Sequence, residues 1–562
     1  MKRQTVGLRR ACRVCVSVFA LVGAALVGEP AHADYNIKAT EAASSAIVSD
    51  SKCNLVEAVD SLNNGKTTAG SGLHGCVNVG GGKRIVLEGT GAHYNVGTGI
   101  TIWVSGVEIS SLVSGKDFVE GAADSRVIAV QSGASLTLKG LTIQRIGSYK
   151  AQVLHNQGSL TLNSCVVQKG DSTTDGGGIY NNGELRLSAT TVRDNKAAFS
   201  GGGIYTKSAW GIVLSNSAVS NNTSGTSGAG IYGNASPVTL ILSTVSDNRS
   251  SSHAGGIYNN SSTLSLDRST IQSNTAARNG GGIYTYLGKL TMSGGCKVTG
   301  AHTAINGGGI YINGTVTKLY STVVEGATAS GEGGGIYNNG DLSFYEVTLQ
   351  NNTATGNGGG LYSLSAIGIY LERSTISNNT SGGHGGGAYS SSRFLAKIST
   401  VSTNTAAGNG GGIYSTTGNN HYLELFWVTI GYNRAAAGGG VLVSGHANTS
   451  TRSSIVAKNT LPSGTNSDYV GNPHAQFEDT LVQYRCVFGT VDGNTNHPND
   501  IIGNSRILPL ADNGGPTKTH EIPADSTALN AAVGNTTCAS SDQRGRTRPV
   551  GSACDIGSYE RQ

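Results

Sequence analysis

Ten tyrosines, Tyr180, Tyr205, Tyr232, Tyr258, Tyr284, Tyr311, Tyr337, Tyr362, Tyr389 and Tyr414, close ten near-identical Gly-Gly-Gly-Ile-Tyr motifs at steps of 25, 27, 26, 26, 27, 26, 25, 27 and 25 residues. A period of this size, held over so many copies, restricts the chain to a solenoid in which each repeat packs on its neighbours. Leu442 in Gly-Gly-Gly-Val-Leu continues the series, and steps of 26 backwards land on Leu154 and Ile128. Those two keep the strand pattern without the glycines, which makes thirteen repeats between about residues 125 and 460.

The type of solenoid follows from what fills one period. Gly-Gly-Gly-Ile-Tyr-Asn-Asn gives way to an alternating segment (Leu264, Leu266) and then to Thr-Ile-Gln-Ser-Asn (Ile271, Asn274). Alternation with β-branched residues marks strands, and nothing carries a 3.6-residue period. Leucine-rich repeats need another leucine spacing, and propeller blades need about 40 residues. The expected fold is all-β, a single-stranded parallel β-helix of about 26 residues per coil, right-handed by the general preference of crossover connections. One coil alone is unstable. It buries about five or six aliphatic side chains at roughly 1.5–3 kcal/mol each, against about 1–2 kcal/mol for ordering each residue. Stacked at about 4.8 Å, thirteen coils give a rod roughly 60 Å long. Gly is 84 of 562 residues, but a strict period separates such a chain from disordered glycine-rich ones.

Like residues then form columns. Ile179, Ile204, Ile231, Ile257, Leu361 and Val441 point inwards, and the glycines mark a corner that needs positive φ and close backbone approach. Alternate strand positions face opposite ways, so the ten tyrosines form an exposed ladder. They are candidate ligand-binding residues for a glycan or a partner surface; the competing reading is a ladder that stacks only on itself and stiffens the rod. A second column, Asn195, Asn222, Asn248, Asn274, Asn352, Asn379, Asn404 and Asn433, reads as a turn-fixing ladder, because asparagine tolerates the left-handed region and its amide can bond the next copy.

The two ends differ from the rod. Residues 1–33 combine Lys2, Arg3, Arg9, Arg10 and Arg13 with an apolar stretch and a small-residue end at Ala31 and Ala33, a secretory signal. The remaining divisions are an N-terminal cap over 34–98, the β-helix over 99–460 and a C-terminal cap over 461–562. The chain has 39 basic and 34 acidic residues; the first 33 hold five of the former and Glu29 of the latter, leaving 34 against 33. A balance so near neutrality argues against nucleic acid as partner. No transmembrane segment and no cofactor or metal are expected, and the chain should be a monomer. In an oxidising compartment the spacing pairs Cys53 with Cys76 and Cys538 with Cys554, and Cys165, Cys296 and Cys486 read as small buried hydrophobes. Leu55, Ala58, Val59 and Leu62 share a helical face suited to covering the first coil.

Cys53, Leu55, Glu57, Ala58 and Asn63 resemble the CSLREA motif of bacterial surface proteins, with Asn54 and Val56 where that motif has Ser and Arg. Pro509, Asp512, Gly514, Gly515, Pro516, His520, Asp542, Arg544, Gly545, Arg548, Pro549, Asp555, Gly557 and Glu560 resemble the choice-of-anchor Q domain. The glycine-rich repeats are similar to those of polymorphic outer-membrane adhesins; no barrel segment is seen, so a self-transporting adhesin is not expected. These resemblances imply an exported cell-surface protein.

Chemistry has a weaker claim. Polysaccharide lyases of this shape need clustered carboxylates with an Arg or Lys base, and hydrolases need facing carboxylates. The column before the glycines runs Asp175, Ser200, Ser227, His253, Asn279, Asn306, Glu332, Asn357, His384, Asn409, never with carboxylates in adjacent coils. Asp194 and Asp247 are likewise separated by Asn221. Asp512, His520, Ser526, Asp542, Arg544 and Asp555 lack a nucleophile elbow. The sequence favours an adhesion or interaction scaffold, with a polysaccharide lyase or related carbohydrate-active enzyme as the alternative.

Overall fold

The computed structural model describes residues 35–37, 54–65, 83–87, 91–300, 302–364, 367–416, 422–444, 448–470, 486–488, 491–492, 500–502, 505–532 and 538–562. They form a right-handed parallel β-solenoid of about 14 turns with about 26 residues per turn. Cys53, Cys76 and the whole of 1–33 lie outside the described residues.

Each coil repeats one plan, seen in the coil that starts at Gly176. Ile179–Asn181 and Glu184–Ser188 lie side by side in a wide sheet, Thr191–Arg193 belongs to a second sheet and Lys196–Ala197 to a short third one. The strands of this coil pair in parallel with their counterparts one period away: Ile179 with Ile204, Leu185 with Ile212, Val192 with Val219. The 26-residue beat is therefore the circumference of a coil. Leu185 and Leu187 point in while Arg186 and Ser188 point out, and the inward aliphatics merge into one continuous core along the rod.

The glycine triplet answers to three different needs. Gly176 adopts φ +71°, the left-handed turn into the strand. A Cβ on Gly177 would lie 2.3 Å from the carbonyl oxygen of Lys196, and one on Gly178 would lie 2.7 Å from that of Gly203. With the side chains gone the backbones close up. Gly176, Gly177, Gly178 and Ile179 donate in turn to the carbonyls of Ser200, Gly201, Gly202 and Gly203 at 2.8–3.1 Å.

Two further corners are each built from a residue at positive φ followed by an inward polar one. The asparagines were expected to take the left-handed conformation themselves; instead it falls on the residue before, Asp194, Asn221, Asp247 and Asn378 among them. The ladder asparagines follow, fully buried. Asn195 Nδ2 donates to Asn222 Oδ1 at 3.0 Å and to the Val167 carbonyl at 3.1 Å, and Asn222 Oδ1 also accepts the Asn195 N–H. The bonds repeat through Asn248 and Asn274, and again from Asn352 through Asn433 to Asn459, where Asp468 Oδ1 ends the run. His302 fills one rung, its Nδ1 accepting the Asn274 N–H at 3.2 Å. The other corner carries a hydroxyl column, Thr190, Ser217, Ser243 and Ser269, in which each N–H donates to the next side chain. Cys296 stands in this column, its Sγ accepting from Ser269, so it is a member of the ladder as well as a buried apolar group.

The helix Leu55–Asn63 covers the N-terminal end. Asn54 and Glu57 form a capping box, Leu55, Ala58, Val59 and Leu62 join the core, and Asn63 bonds the Thr101 carbonyl at 2.7 Å. At the other end, residues 505–532 and 538–562 lie along the flank of the second sheet. Thr375, Thr400 and Thr429, on three successive coils, bond Lys518, Gln543 and Ser558 respectively at 2.7–3.0 Å. The expected Cys538–Cys554 disulfide is present. No described helix is long and apolar enough to cross a membrane.

Candidate functional site

The ten tyrosines stand on the outer face of the wide sheet, one per coil, in register. Expected to be exposed, they are half-buried, and Tyr205 and Tyr284 are buried at 8% and 6% exposure. The cause is the coil spacing. Successive ring centroids lie 4.5–5.4 Å apart and most pairs are nearly parallel, so each ring face is covered by the next ring. At that spacing nothing can slide between them. What remains accessible is ring edges and hydroxyls, some of them taken up by asparagines, as in Asn234 donating to the Tyr205 oxygen at 3.4 Å. Burial, aided by the neighbouring phenols, raises the pKa of Tyr258, Tyr311 and Tyr362.

The column before the glycines flanks the rings and has a structural use that sequence reasoning missed. Its side chains accept the backbone N–H of the residue one coil on. Asp175 receives Ser200 at 2.8 Å, Asn306 receives Glu332 at 2.8 Å, Glu332 receives Asn357, Asn357 receives His384 at 2.7 Å, and His384 Nδ1 receives Asn409 at 2.9 Å. Glu332 and His384 are thus bound into the backbone, with Asn357 between them. The shared property was acceptor capacity at one position of the period, legible once the column is written out. Desolvation raises the carboxyl pKa of Glu332 and of Asp175.

The C-terminal polar residues do not converge either. The His520 ring nitrogens meet the Leu508 carbonyl at 2.6 Å and Ser402 Oγ at 2.9 Å, while Ser526 donates to the Ser505 carbonyl. Asp542 holds its own loop through the N–H groups of Arg544 and Arg546, at 2.9 Å each, and pairs with the Arg544 guanidinium at 2.7 Å. Asp555 accepts from Asn530 at 2.7 Å, and Asp512 caps Gly514. Among the described residues no three His, Cys, Asp or Glu side chains are placed to share a metal ion.

Two surface features remain. The aromatic column ends at His155, which stacks on Tyr180 at 4.8 Å; one and two coils further its register holds Ala129 and Thr101. There a cleft of about 440 Å³ opens, lined by residues of four coils that include Thr101, Asp124, Arg126, Ala129, Lys150 and Thr174. The other feature is a row of apolar tips. The turn joining the two strands of the wide sheet carries Trp103, Trp210, Leu287, Leu364 and Ile367, with Tyr286 at the strand end beside it; Trp210 is 80% exposed, Trp103 63% and Ile367 62%.

Family models agree with this architecture. The model described as right handed beta helix region matches residues 126–322, and the Chlamydia polymorphic membrane protein repeat matches residues 346–364. Among solved structures the chain is similar to the A-module of the Azotobacter vinelandii mannuronan C-5 epimerase AlgE6, at 11% identity and a TM-score of 0.24, over 84% of this chain and 98% of that one. It is also similar to pectate lyase Pel9A, at 12% identity and a TM-score of 0.19, over 80% and 89% of the two chains. No curated protein matches the sequence.

Proposed function

We propose that the protein is an exported bacterial surface or extracellular scaffold that adheres to a partner surface, a protein or a glycan, along one edge of its rod. The match to a polymorphic membrane protein repeat supports a surface location. So do the basic, apolar and small-residue pattern of residues 1–33 and the choice-of-anchor-like blocks of 461–562. The observation that carries adhesion is the row of apolar tips. Exposed apolar surface gathered on one side of a protein marks interaction sites, and here single apolar tips recur on one edge every three or four coils. Both strongly exposed tryptophans lie on this edge, four coils apart, a separation of about 19 Å at the usual strand spacing. Leu287 and Ile367 extend the row. Tryptophan is also the residue type most enriched among binding hot spots.

The test is adhesion of beads coated with the full chain, to cultured cells and to a glycan array. Wild type should bind at least one of them. The combined Trp103→Ser, Trp210→Ser and Ile367→Ser variant should bind at least tenfold less with an unchanged melting temperature. A wild type that binds neither surface removes the reading.

A further inference from the structure

The aromatic column stops before the rod does, and the cleft occupies the space its next rungs would fill. We propose that this cleft binds a short saccharide carrying one carboxylate, its sugar rings taking the place of the two missing aromatic rungs. The inference deepens the glycan part of the reading above and uses a surface separate from the row of tips.

Size and shape come from the register. His155, Ala129 and Thr101 are successive members of the column that holds Tyr180, so two adjoining coils lack a ring. At about 4.8 Å per coil this frees about 10 Å along the rod. A volume of about 440 Å³ is in the range of small-ligand sites and accommodates about two sugar rings. Within the ladder a sugar has no ring face to meet; past its end the space is open.

The walls supply the recognition chemistry. Thr98, Thr101, Ser125, Gln131, Gln152 and Thr174 line the cleft with hydroxyls and amides, which suits a polyhydroxylated ligand and not a lipid. Charge then selects among saccharides. Lys150 is paired with Asp171, and its backbone N–H donates to Asp124 at 2.5 Å. Arg126 lines the same cleft, is exposed, and makes no ion pair among the described residues. The Arg126 guanidinium, without an ion pair among the described residues, matches one carboxylate, which it can grip through two parallel N–H groups. Asp124 on the same wall opposes ligands with several negative charges, so phosphates and nucleotides are disfavoured.

The experiment is calorimetric titration of the full chain with a disaccharide holding one uronic acid and one neutral sugar, and with its carboxyl-reduced, neutral counterpart. The acidic sugar should bind at least tenfold more tightly. Arg126→Gln, an exposed change, should lower its affinity to that of the neutral sugar. Ala129→Tyr supplies the missing rung and should abolish binding of both, with the strand signal in circular dichroism retained. Absence of binding at millimolar sugar, equal binding of the two sugars, or an acidic-sugar affinity unaltered by Arg126→Gln would each overturn the proposal. Trp210→Ser should leave sugar binding intact, so a failure of the tip row and a failure of the cleft are read separately.

Discussion

A single rung shows how strongly one position is specified. The Asn column needs a side chain that accepts one N–H and donates to a carbonyl and to the next rung, and asparagine meets all three within the corner. His302 meets only part of this. Its Nδ1 accepts from Asn274, and its Nε2 lies 3.0 Å from the Ile271 carbonyl, which requires the neutral ring. Burial lowers its pKa to about 4, and His520, buried under the C-terminal segment, is also lowered to about 4. Both values fall below the ordinary 6.5 of an unfolded chain, so the unfolded state binds protons first as pH drops. The stability these residues contribute is complete above about pH 6.5 and is lost progressively down to about pH 4, by about 1.4 kcal/mol per pH unit for each ring. His302→Asn should therefore shrink the fall in melting temperature between pH 7 and pH 5. An unchanged fall would mean that His302 is not neutral in the fold. The rung was legible as Asn from sequence, but its left-handed neighbour was not. Asp194, Asn221 and Asp247 are themselves residues that tolerate positive φ, and only coordinates separate the residue that turns from the one that bonds.

Among the elements, the strands of the rod were readable because each inward face repeats every coil. The cap helix was readable because Leu55, Ala58, Val59 and Leu62 keep helical spacing. The C-terminal segment has no period, and its docking along the flank depends on contacts with residues more than a hundred positions away. Gln543 is the hub. Fully buried, its Nε2 reaches Thr375 Oγ1 at 2.9 Å and Thr517 Oγ1 at 2.8 Å, while its Oε1 accepts from Thr400 at 2.7 Å. Gln543→Leu removes these three bonds, although Thr375, Thr517 and Thr400 keep their bonds to Lys518, Arg373 and Ser558; at about 1 kcal/mol per bond it should cost about 3 kcal/mol. The segment should then become cleavable by protease while the coils, held by their own ladders, stay resistant. Equal resistance of both in the variant would show that the flank contact does not hold the segment.

For the whole molecule, the division of labour is between columns that bond coil to coil and surfaces left over from that bonding. The inward aliphatics, the asparagines, the hydroxyls, the acceptors before the glycines and the tyrosines all belong to the first group. The tips and the cleft belong to the second, and both lie where the period is broken: at turns of variable composition and at coils without the Gly-Gly-Gly-Ile-Tyr motif. Repetition reveals a fold, so sequence showed the rod; it hides a site that exists because a rung is missing. The claim beneath this division is that the tyrosines are one internal stack. Spectrophotometric titration of the phenols tests it directly. Eight ladder members, Tyr205, Tyr232, Tyr258, Tyr284, Tyr311, Tyr337, Tyr362 and Tyr389, have pKa values raised by burial, so the fold's preference for their neutral form is complete below about pH 10 and is lost as pH rises through the folded values. The predicted trace has these eight phenols ionising late, well above pH 10, together with loss of strand signal. A single step near pH 10 involving all 22 tyrosines, with the strands intact, would contradict the stacked ladder.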